Sequence, residues 1–405
     1  MEDKLYFEFL QIAIDNRKSL SITLDKSNWQ LIFDFCKKQS LIGIGFAAVE
    51  KLHSIGVLCP EKIRIKWMSL AFQIEKQNAL LNEQCGKLKA HYAHDGFSVC
   101  ILKGQGNTIN YPESLKNRRQ CGDIDVWAIP YKDIAIAVQV GTHDMDYVTY
   151  QGRKAIIEYV MMQHRLVGSS RIPRLLYHHI DAPKMGGTDV EVHFRPAHLY
   201  SPLRNWRLQK WMNEHADECM KNKTHLGFAM PTSSVNVIYQ MTHMYKHHID
   251  GGLGFRHLMD YYYVLRVWHN DVMECKDLQS QGMWSEGLGT HVMSNEEVMS
   301  VIRSFGMTKF AAAVMYVLHK VFDMSSHYYI CDPNEKEGKK LLAEVMNSGN
   351  FGHYDSEKPN VYQHRFQYHI WKFKRIFRLA MSYPEEALWE PVFRVWRKIL
   401  RVIHD

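Results

Sequence analysis

The sequence lacks long apolar segments, CxxC spacings and low-complexity tracts. Its uninterrupted apolar runs, such as Leu41–Val49 and Phe310–Leu318, are far shorter than the ~18 residues that a membrane-spanning helix needs. The first residues include Glu2 and Asp3 and show no signal-peptide pattern. Because several of the eight cysteines lie in apolar surroundings, we expect reduced thiols in a cytoplasmic protein.

Excess charge is scarce outside the C-terminal segment. The chain of 405 residues carries a net charge of +7, and residues 361–405, with nine Lys/Arg and four Asp/Glu, supply +5 of it. Such a segment predicts either contact with a polyanion or the solvated faces of amphipathic helices, which are the commoner origin.

Two apolar stripes in this segment have helical spacing. They consist of Phe366, Ile370, Phe373 and Phe377, and of Val392, Trp396, Ile399 and Ile403. We predict that both stripes face the core, and that the polar faces carry the basic residues Lys372, Lys374, Arg375, Arg378, Arg394, Arg397, Lys398 and Arg401. Aromatic residues interleaved with basic ones also suit RNA or a membrane surface.

Helical periodicity dominates both ends of the chain and is interrupted between them. Residues 1–95 are predicted to form an N-terminal helical region, residues 96–200 a β-containing core and residues 201–405 a C-terminal helical region. The Gly- and Ser-rich stretch from about Lys276 to Ser294 is the best linker candidate. The pattern predicts an α+β fold in which a small mixed sheet is flanked by helices.

The central region contains the predicted strands. Gly186-Gly187 is typical of a hairpin turn, and the residues after it alternate between polar and apolar. Strands or β-rich segments are predicted at Phe97–Leu102, Asp123–Ile129, Arg153–Gln163, Arg174–Ile180 and 188–194. Pro130 is predicted to start a helix that extends to about Gly141.

Two carboxylates sit one residue apart in the second of these strands. Side chains at positions i and i+2 of a strand leave the same face, so Asp123 and Asp125 are expected to stand together. Two like charges at that separation repel, and burial makes the repulsion worse. A hard cation such as Mg²⁺ or Mn²⁺ prefers carboxylate oxygens and removes that cost. With the Gly-containing turn at Gly104, the pair predicts a site for a metal and a phosphate.

This segment resembles the nucleotidyltransferase superfamily that includes DNA polymerase β and kanamycin nucleotidyltransferase. Within it, the chain resembles most closely a group of bacterial proteins called uncharacterised nucleotidyltransferases. The resemblance covers roughly residues 97–200 and rests on Leu102-Lys103-Gly104, Tyr111-Pro112, Arg119, Gly122-Asp123-Ile124-Asp125 and Val190-Glu191-Val192.

The resemblance implies a nucleotidyltransferase core and a role for each carboxylate. Asp123 and Asp125 would hold the metals that bridge a nucleoside triphosphate (NTP). Glu191 would be the third carboxylate, would help to hold the metal on the acceptor side and would assist removal of the acceptor hydroxyl proton. Asp189 has the same strand parity as Glu191 and is the reserve candidate.

Four residues are predicted to contact the nucleotide: Lys103, Gly104, Gln105 and Arg119. An arginine offers a planar fork for phosphate oxygens, and Arg118 competes with Arg119 for that role. Gln105 stands where the family often has serine, so a hydroxyl contact to phosphate is absent.

Four histidines are further candidates for a metal-binding or structural role. His243 and His247 are spaced i, i+4 on a predicted helix, as in a zinc pair, but no third ligand follows from the spacing. His257 and Asp260 lie one turn apart and predict a buried hydrogen bond between helices. His193 shares a strand face with Glu191 and is interpreted as a supporting or structural residue.

Two functional hypotheses follow. The first is a Mg²⁺-dependent enzyme that transfers a nucleoside monophosphate from an NTP to a hydroxyl acceptor, which is a small molecule, a protein or RNA. The second is a catalytically silent binding module that keeps the fold, such as an antitoxin-like or scaffold protein, and Gln105 motivates it. A phosphatase or hydrolase is less well supported, because metal hydrolases usually bring histidine ligands near their carboxylates.

The clustered carboxylates predict a metal-dependent stability. At least one of them should have a raised pKa without metal, and a bound divalent cation should favour the native state. We expect millimolar Mg²⁺ or Mn²⁺ to raise the melting temperature, and Asp125→Asn to reduce that gain. Thermal melts of both proteins with and without metal measure this, and an unchanged metal-induced gain in the variant would contradict the prediction.

Overall fold

Four strands form a mixed sheet near the middle of the chain, in the order β1-β2-β6-β5. They are β1 (Phe97–Ile101), β2 (Ile124–Pro130), β5 (His179–Met185) and β6 (Thr188–His193). The β2–β6 pair is parallel and the other two pairs are antiparallel. Strands β3 (Ile134–Gln139) and β4 (Met145–Tyr150) form a separate antiparallel hairpin. The computed structural model describes residues 2–131, 134–139, 145–169, 172–280, 292–355, 357–360 and 363–404.

Helices account for most of the described residues, which confirms the predicted α+β class with helical flanks. Before and within the sheet region they are α1 (Glu2–Ala13), α2 (Lys26–Lys38), α3 (Ile42–Ser54), α4 (Glu61–His94), α5 (Gln105–Thr108), α6 (Glu113–Lys116) and α7 (Gly152–Leu166). After it they are α8 (Pro202–Glu214), α9 (Ala216–Lys221), α10 (Ser233–Asp250), α11 (Phe255–Ser280), α12 (Asn295–Ser304), α13 (Thr308–Phe322), α14 (Glu335–Ser348), α15 (Arg365–Ala380) and α16 (Pro384–His404).

The sheet separates two apolar clusters, as strand alternation requires. Ile124 and Val126 point into the smaller cluster, where they meet α4 and α7. Trp127 points into the larger cluster, which joins the N-terminal helices to the C-terminal ones. Side chains on the Asp125 face of β2 therefore point toward the larger cluster and its helices. Among the described helices, none is both long enough and apolar enough to cross a membrane.

Two predicted elements are wrong. The helix expected from Pro130 to about Gly141 is replaced by β3, whose alternating Ile134–Val138 run pairs with β4. The β-rich segment expected at Arg153–Gln163 is α7. Its buried residues Ile156, Tyr159 and Val160 have the i, i+3, i+4 spacing of one helix face. The predicted linker from Lys276 to Ser294 lies largely outside the described residues.

The C-terminal helices also reverse the prediction made for their faces. Lys372 and Arg375 on α15 are buried, whereas Phe373 and Phe377 are 71% and 70% exposed. Lys372 Nζ donates to the carbonyl oxygen of Asp250 over 2.8 Å at the C-terminus of α10, where a cation meets the negative end of the helix dipole. Arg375 pairs with Glu344 at 2.6 Å. The buried face of α15 therefore combines these two paired cations with the apolar residues Trp371, Ile376 and Leu379.

Exposed apolar residues continue along the hairpin of α15 and α16. The exposed set is Phe366, Ile370, Phe373, Phe377, Met381, Leu388, Val392, Val395, Trp396 and Ile399. The prediction that Val392, Trp396 and Ile399 face the core is therefore wrong as well. Ile403 lies outside the residues whose side chains are described.

A buried ion pair fixes the β1–β2 connection to the C-terminal helices. Arg119 is bound in bidentate fashion by Asp260 of α11, with Nε–Oδ1 and Nη2–Oδ2 distances of 2.6 Å. Asp260 also accepts hydrogen bonds from the hydroxyl of Tyr111 at 2.7 Å and the amide of Asn107 at 3.3 Å. Asp260 thus joins three points of the connection to one helix, while the expected bond from His257 is not among its contacts.

Removing one partner of this pair should strongly destabilise the protein. We expect Arg119→Met to lower the free energy of unfolding by about 3–5 kcal/mol, because it leaves Asp260 buried without its counter-charge. Urea unfolding of both proteins measures the change. Lys221→Met is the matched control, because its pair with Asp217 is exposed and should contribute less than about 1 kcal/mol. Equal stability of Arg119→Met and wild type would contradict the assignment.

Candidate active site

Strand register brings the predicted carboxylates together. Asp125 and Glu191 are directly paired in the parallel β2–β6 ladder, so their side chains leave the same face of the sheet. Asp123 lies just before β2 and is exposed at the rim. The backbone N–H of Leu102 donates to the carbonyl oxygen of Asp125 over 3.0 Å. This bond ties the turn at Lys103-Gly104 to the carboxylate strand.

Asp125 is the buried centre of the site, with a relative exposure of 1%. Its Oδ1 lies 3.0 Å from Lys103 Nζ and 3.0 Å from His193 Nε2. Its Oδ2 is buried and has no hydrogen-bond partner among the described residues. One oxygen therefore orients the carboxylate while the other remains available for a ligand.

Glu191 completes the cluster from β6. Its Oε2 lies 3.3 Å from His179 Nδ1 and 3.7 Å from His193 Nε2, and its Oε1 lies 3.5 Å from Arg174 Nη2. Asp125, Glu191 and His193 each offer one ligand atom within 4.8 Å of the others. This group joins strands β2 and β6 in one pocket of mixed charge.

The pKa shifts follow from this crowding. The charge of Asp125 raises the pKa of Asp123, as predicted for one member of the cluster. Burial alone would raise the pKa of Asp125, but Lys103 and the hydrogen bond from His193 hold it well below its usual range. Burial would likewise raise the pKa of Glu191, but the bond with His193 lowers it. Asp125 and Glu191 are thus ionised at neutral pH.

The donor set fits a hard divalent cation. Oxygen ligands of ionised carboxylates are what Mg²⁺ prefers, and the unpartnered Oδ2 of buried Asp125 supplies one. Glu191 is close enough to supply a second, and Asp123 stands at the rim two residues before the ladder pair. These are the residues that would hold the metal.

The comparison with known families is consistent with this geometry. A family model described as uncharacterised nucleotidyltransferase matches residues 25–282. The chain belongs to this family. No curated protein and no solved structure matches the chain. The match spans the whole of the four-stranded sheet, together with α10 and α11.

Some residues predicted for the nucleotide are engaged elsewhere in this member of the family. Lys103 does reach the site, whereas the buried side chain of Gln105 donates to Asn82 Oδ1 over 2.6 Å and so contacts α4. Arg119 is bound by Asp260, and Arg118 pairs with Glu50 and Glu75. The reserve carboxylate Asp189 is exposed and pairs with Lys184 at 3.0 Å.

The backbone conformation at position 104 favours glycine. It adopts φ +59°, ψ −110° immediately before α5, a conformation that residues with a Cβ rarely adopt. The turn at Gly104 directs the chain so that the side chain of the preceding residue, Lys103, reaches Asp125.

Sequence reasoning missed the contribution of β5. His179 and Asp181 pair with His193 and Glu191 in the antiparallel ladder, and Arg174 reaches both Asp181 and Glu191. The Gly186-Gly187 hairpin was predicted correctly, but an irregularity between Ala182 and Met185 shifts its register by one residue. Counting from the turn would have paired Asp181 with Val192 and placed its side chain on the wrong face.

The predicted His243–His247 pair does gain a third histidine, His257. All three lie within 4.8 Å of one another, and burial lowers the pKa of each. His243 Nε2 and His247 Nε2 lie 3.0 Å apart, so a hydrogen bond between the two rings accounts for their contact. We therefore do not assign a metal to this cluster.

The charge of His193 should make stability depend on pH. Burial alone would lower the pKa of His193, but its hydrogen bond to Asp125 and the nearby charge of Glu191 raise it above the ordinary value of 6.5. Because the pKa of His193 is higher in the native state than in the unfolded state, the charged form of His193 stabilises the fold. This contribution is complete below pH 6.5 and is lost as the pH rises through the native pKa.

We therefore expect His193→Gln, which keeps a donor without the charge, to lower the free energy of unfolding by about 1.5–3 kcal/mol at acidic pH. The difference from wild type should shrink as the pH is raised to about 9. Urea unfolding in the presence of EDTA measures both values. His94→Gln, at an exposed histidine, is the control and should change little at either pH. A difference that grows with pH would contradict this account.

Proposed function

We propose that the chain is a Mg²⁺-dependent nucleotidyltransferase that moves a nucleoside monophosphate from an NTP to a hydroxyl group of an acceptor. The observation that carries the proposal is the buried Asp125, whose Oδ1 is fixed by two cations while its Oδ2 has no partner among the described residues. The pairing with Glu191 and the family membership support it.

Each charged residue has a task in this proposal. Asp123 and Asp125 hold the nucleotide end of the site, and Lys103 offers a positive charge at the same point for phosphate oxygens. Glu191, oriented by His179, faces the acceptor hydroxyl and takes its proton. A divalent cation, when bound, would neutralise the phosphate charge that develops during transfer.

Positioning supplies most of the rate in phosphoryl transfer, so the rigid ladder matters. Asp125 and Glu191 are neighbours in a parallel pair and cannot drift apart without breaking it. His193 contacts both carboxylates and fixes their separation. Arg174 adds a partly exposed cation beside Glu191 that is available to an incoming phosphate.

Asp123→Asn tests the proposal with little disturbance of the fold, because Asp123 is exposed at the rim. We expect wild type to bind an NTP only with Mg²⁺, and Asp123→Asn to bind it at least tenfold more weakly, a loss of about 1.4 kcal/mol. Calorimetric titration with each of the four NTPs, with and without Mg²⁺, measures this. Asp189→Asn is the matched control, since Asp189 is an exposed carboxylate on β6 that pairs with Lys184.

Metal-dependent NTP binding that is identical in wild type and Asp123→Asn would show that Asp123 does not take part in the nucleotide site. A labelled NTP incubated with cell extract separates the enzyme from a silent binding module. Label that appears on an acceptor with wild type, and not with Asp123→Asn, supports transfer. Tight NTP binding without any labelled acceptor supports the silent module, which the buried Gln105 side chain also favours.

A polyanion partner for the basic C-terminal helices remains a separate prediction. Lys372 and Arg375 are buried in ion pairs and cannot take part in it. The exposed residues Lys374, Arg378 and Lys398 are the ones that could.

A further inference from the structure

A cavity of about 810 Å³ opens just beyond the carboxylates. Its wall includes Trp127, which lies two residues after Asp125 on β2 and is paired with His193 in the ladder. At about 3.3 Å per residue, Trp127 lies roughly 7 Å along the strand from Asp125 and on the same face of the sheet. Asp125, Glu191 and His193 do not line the cavity themselves, and Trp127 is the wall residue that follows Asp125 on the strand.

The lining of this cavity is largely aromatic. Rings come from the sheet, from the segments before β5 and after β6, and from α8 and α16; they belong to Trp127, Tyr177, Phe194, Trp206, Phe393 and Trp396. The rings of Tyr177 and Phe393 are 5.0 Å apart, and Phe393 and Trp396 are 5.5 Å apart. Such a surface suits the flat face of an aromatic or extended apolar molecule.

Two arginines stand in this aromatic wall without a counter-ion. The guanidinium carbons of Arg153 and Arg195 lie 4.7 and 5.6 Å from the centre of the Phe194 ring. Arg195 also donates to the carbonyl oxygen of Tyr177 over 2.7 Å. Neither arginine pairs with a carboxylate anywhere in the described part of the chain.

The two arginines influence each other. Burial lowers the pKa of Arg153, and the charge of Arg195 lowers it further. Arg153 is exposed and Arg195 is half-buried, so water reduces the repulsion between the two charges, and a bound anion would reduce it further. Arginine is also the residue best suited to bind a carboxylate or phosphate group with two parallel hydrogen bonds.

A polar edge completes the cavity. Asn205, Gln209 and Asn213 are spaced i, i+4, i+8 on α8, so they share one face of that helix. Asn205 donates to the hydroxyl of Tyr177 over 2.8 Å, and Gln209 donates to the carbonyl oxygen of Ala197 over 2.8 Å, so both amides are held in place at the side of an otherwise aromatic chamber. The occupant thus has a flat apolar body, an anionic group and room for polar substituents.

We propose that this cavity binds the acceptor, and that the acceptor is an aromatic molecule carrying a carboxylate or phosphate group. The identification of the occupant as acceptor rests on the proposed nucleotidyl transfer, whereas the binding of an aromatic anion does not. Arg153 and Arg195 hold the anionic group, the rings hold the body, and the hydroxyl to be modified points along β2 and β6 toward Glu191.

Calorimetric titration with 2-naphthoate in EDTA tests the cavity without any need for turnover. We expect wild type to bind 2-naphthoate at least tenfold more tightly than the neutral naphthalene-2-carboxamide. Arg153→Gln should lose at least tenfold in affinity for 2-naphthoate, and Arg195→Gln should do the same. Arg195 is bonded to the backbone of Tyr177, so Arg195→Gln could disturb the fold. Arg153 makes no backbone hydrogen bond among the described contacts, so Arg153→Gln tests anion binding even if Arg195→Gln fails to fold.

Two variants control for charge and for unspecific apolar binding. Arg165→Gln removes an exposed arginine from the far end of α7, and Phe373→Ser removes an exposed ring from α15. Both should bind 2-naphthoate like wild type. Equal affinity for the anion and the amide, unchanged affinity in Arg153→Gln, or loss of binding in Phe373→Ser would overturn the proposal.

The same titrations separate this proposal from the nucleotidyltransferase assignment. Asp123→Asn should bind 2-naphthoate normally, and Mg²⁺ with a bound NTP should change its affinity less than about twofold in wild type. If 2-naphthoate binds while no NTP does, the cavity stands and the proposed transfer fails. If NTP binds with Mg²⁺ but 2-naphthoate does not, only the cavity proposal fails. Competition between NTP and 2-naphthoate would make the cavity a nucleotide pocket and overturn the acceptor assignment.

Discussion

The charge of Asp125 is the constraint around which the middle of the protein is built. A carboxylate removed from water needs compensating charge and hydrogen bonds, or it would sharply destabilise the native state. Lys103 comes from the turn after β1, and His193 comes from the end of β6. Both meet the same oxygen, so one buried charge joins the turn and two strands. The second oxygen takes no part in this support. The structural support of this carboxylate therefore comes through only one of its two oxygens.

Local pattern was enough to predict the parts of the site that lie on two strands. The i, i+2 spacing placed Asp123 and Asp125 together, and the alternating run after Gly186-Gly187 placed Glu191 on a strand. The pattern could not reveal the partners of these residues. The irregular register of the β5–β6 hairpin hid His179 and Asp181, and the sequence separation of 141 residues hid the pairing of Arg119 with Asp260. A basic residue beside a phosphate-binding motif is ambiguous until its distant partner is known.

The errors in the fold have a common physical origin. Residues 134–138 alternate in a way that either a strand or a short buried helix permits, and the pairing with β4 selects the strand. On α15, apolar periodicity predicted a buried Phe366–Phe377 stripe. The buried face instead carries Lys372 and Arg375, which meet carboxylates and the C-terminal carbonyl groups of α10. The strand pairing at the first place and the ion pairs at the second are tertiary contacts, which are not visible in a single sequence.

The parallel pairing of β2 with β6 has a consequence for biosynthesis. His193 follows Asp125 by 68 residues in the chain, so a ribosome adding 5–20 residues per second needs roughly 3–14 s to supply it. During that interval Asp125 can already meet Lys103, since both emerge early, but it lacks its ladder partner and its histidine. The turn before α5 therefore acts as a provisional counter-ion for the nascent strand. Closure of the long β2–β6 connection is then the step that assembles the pocket.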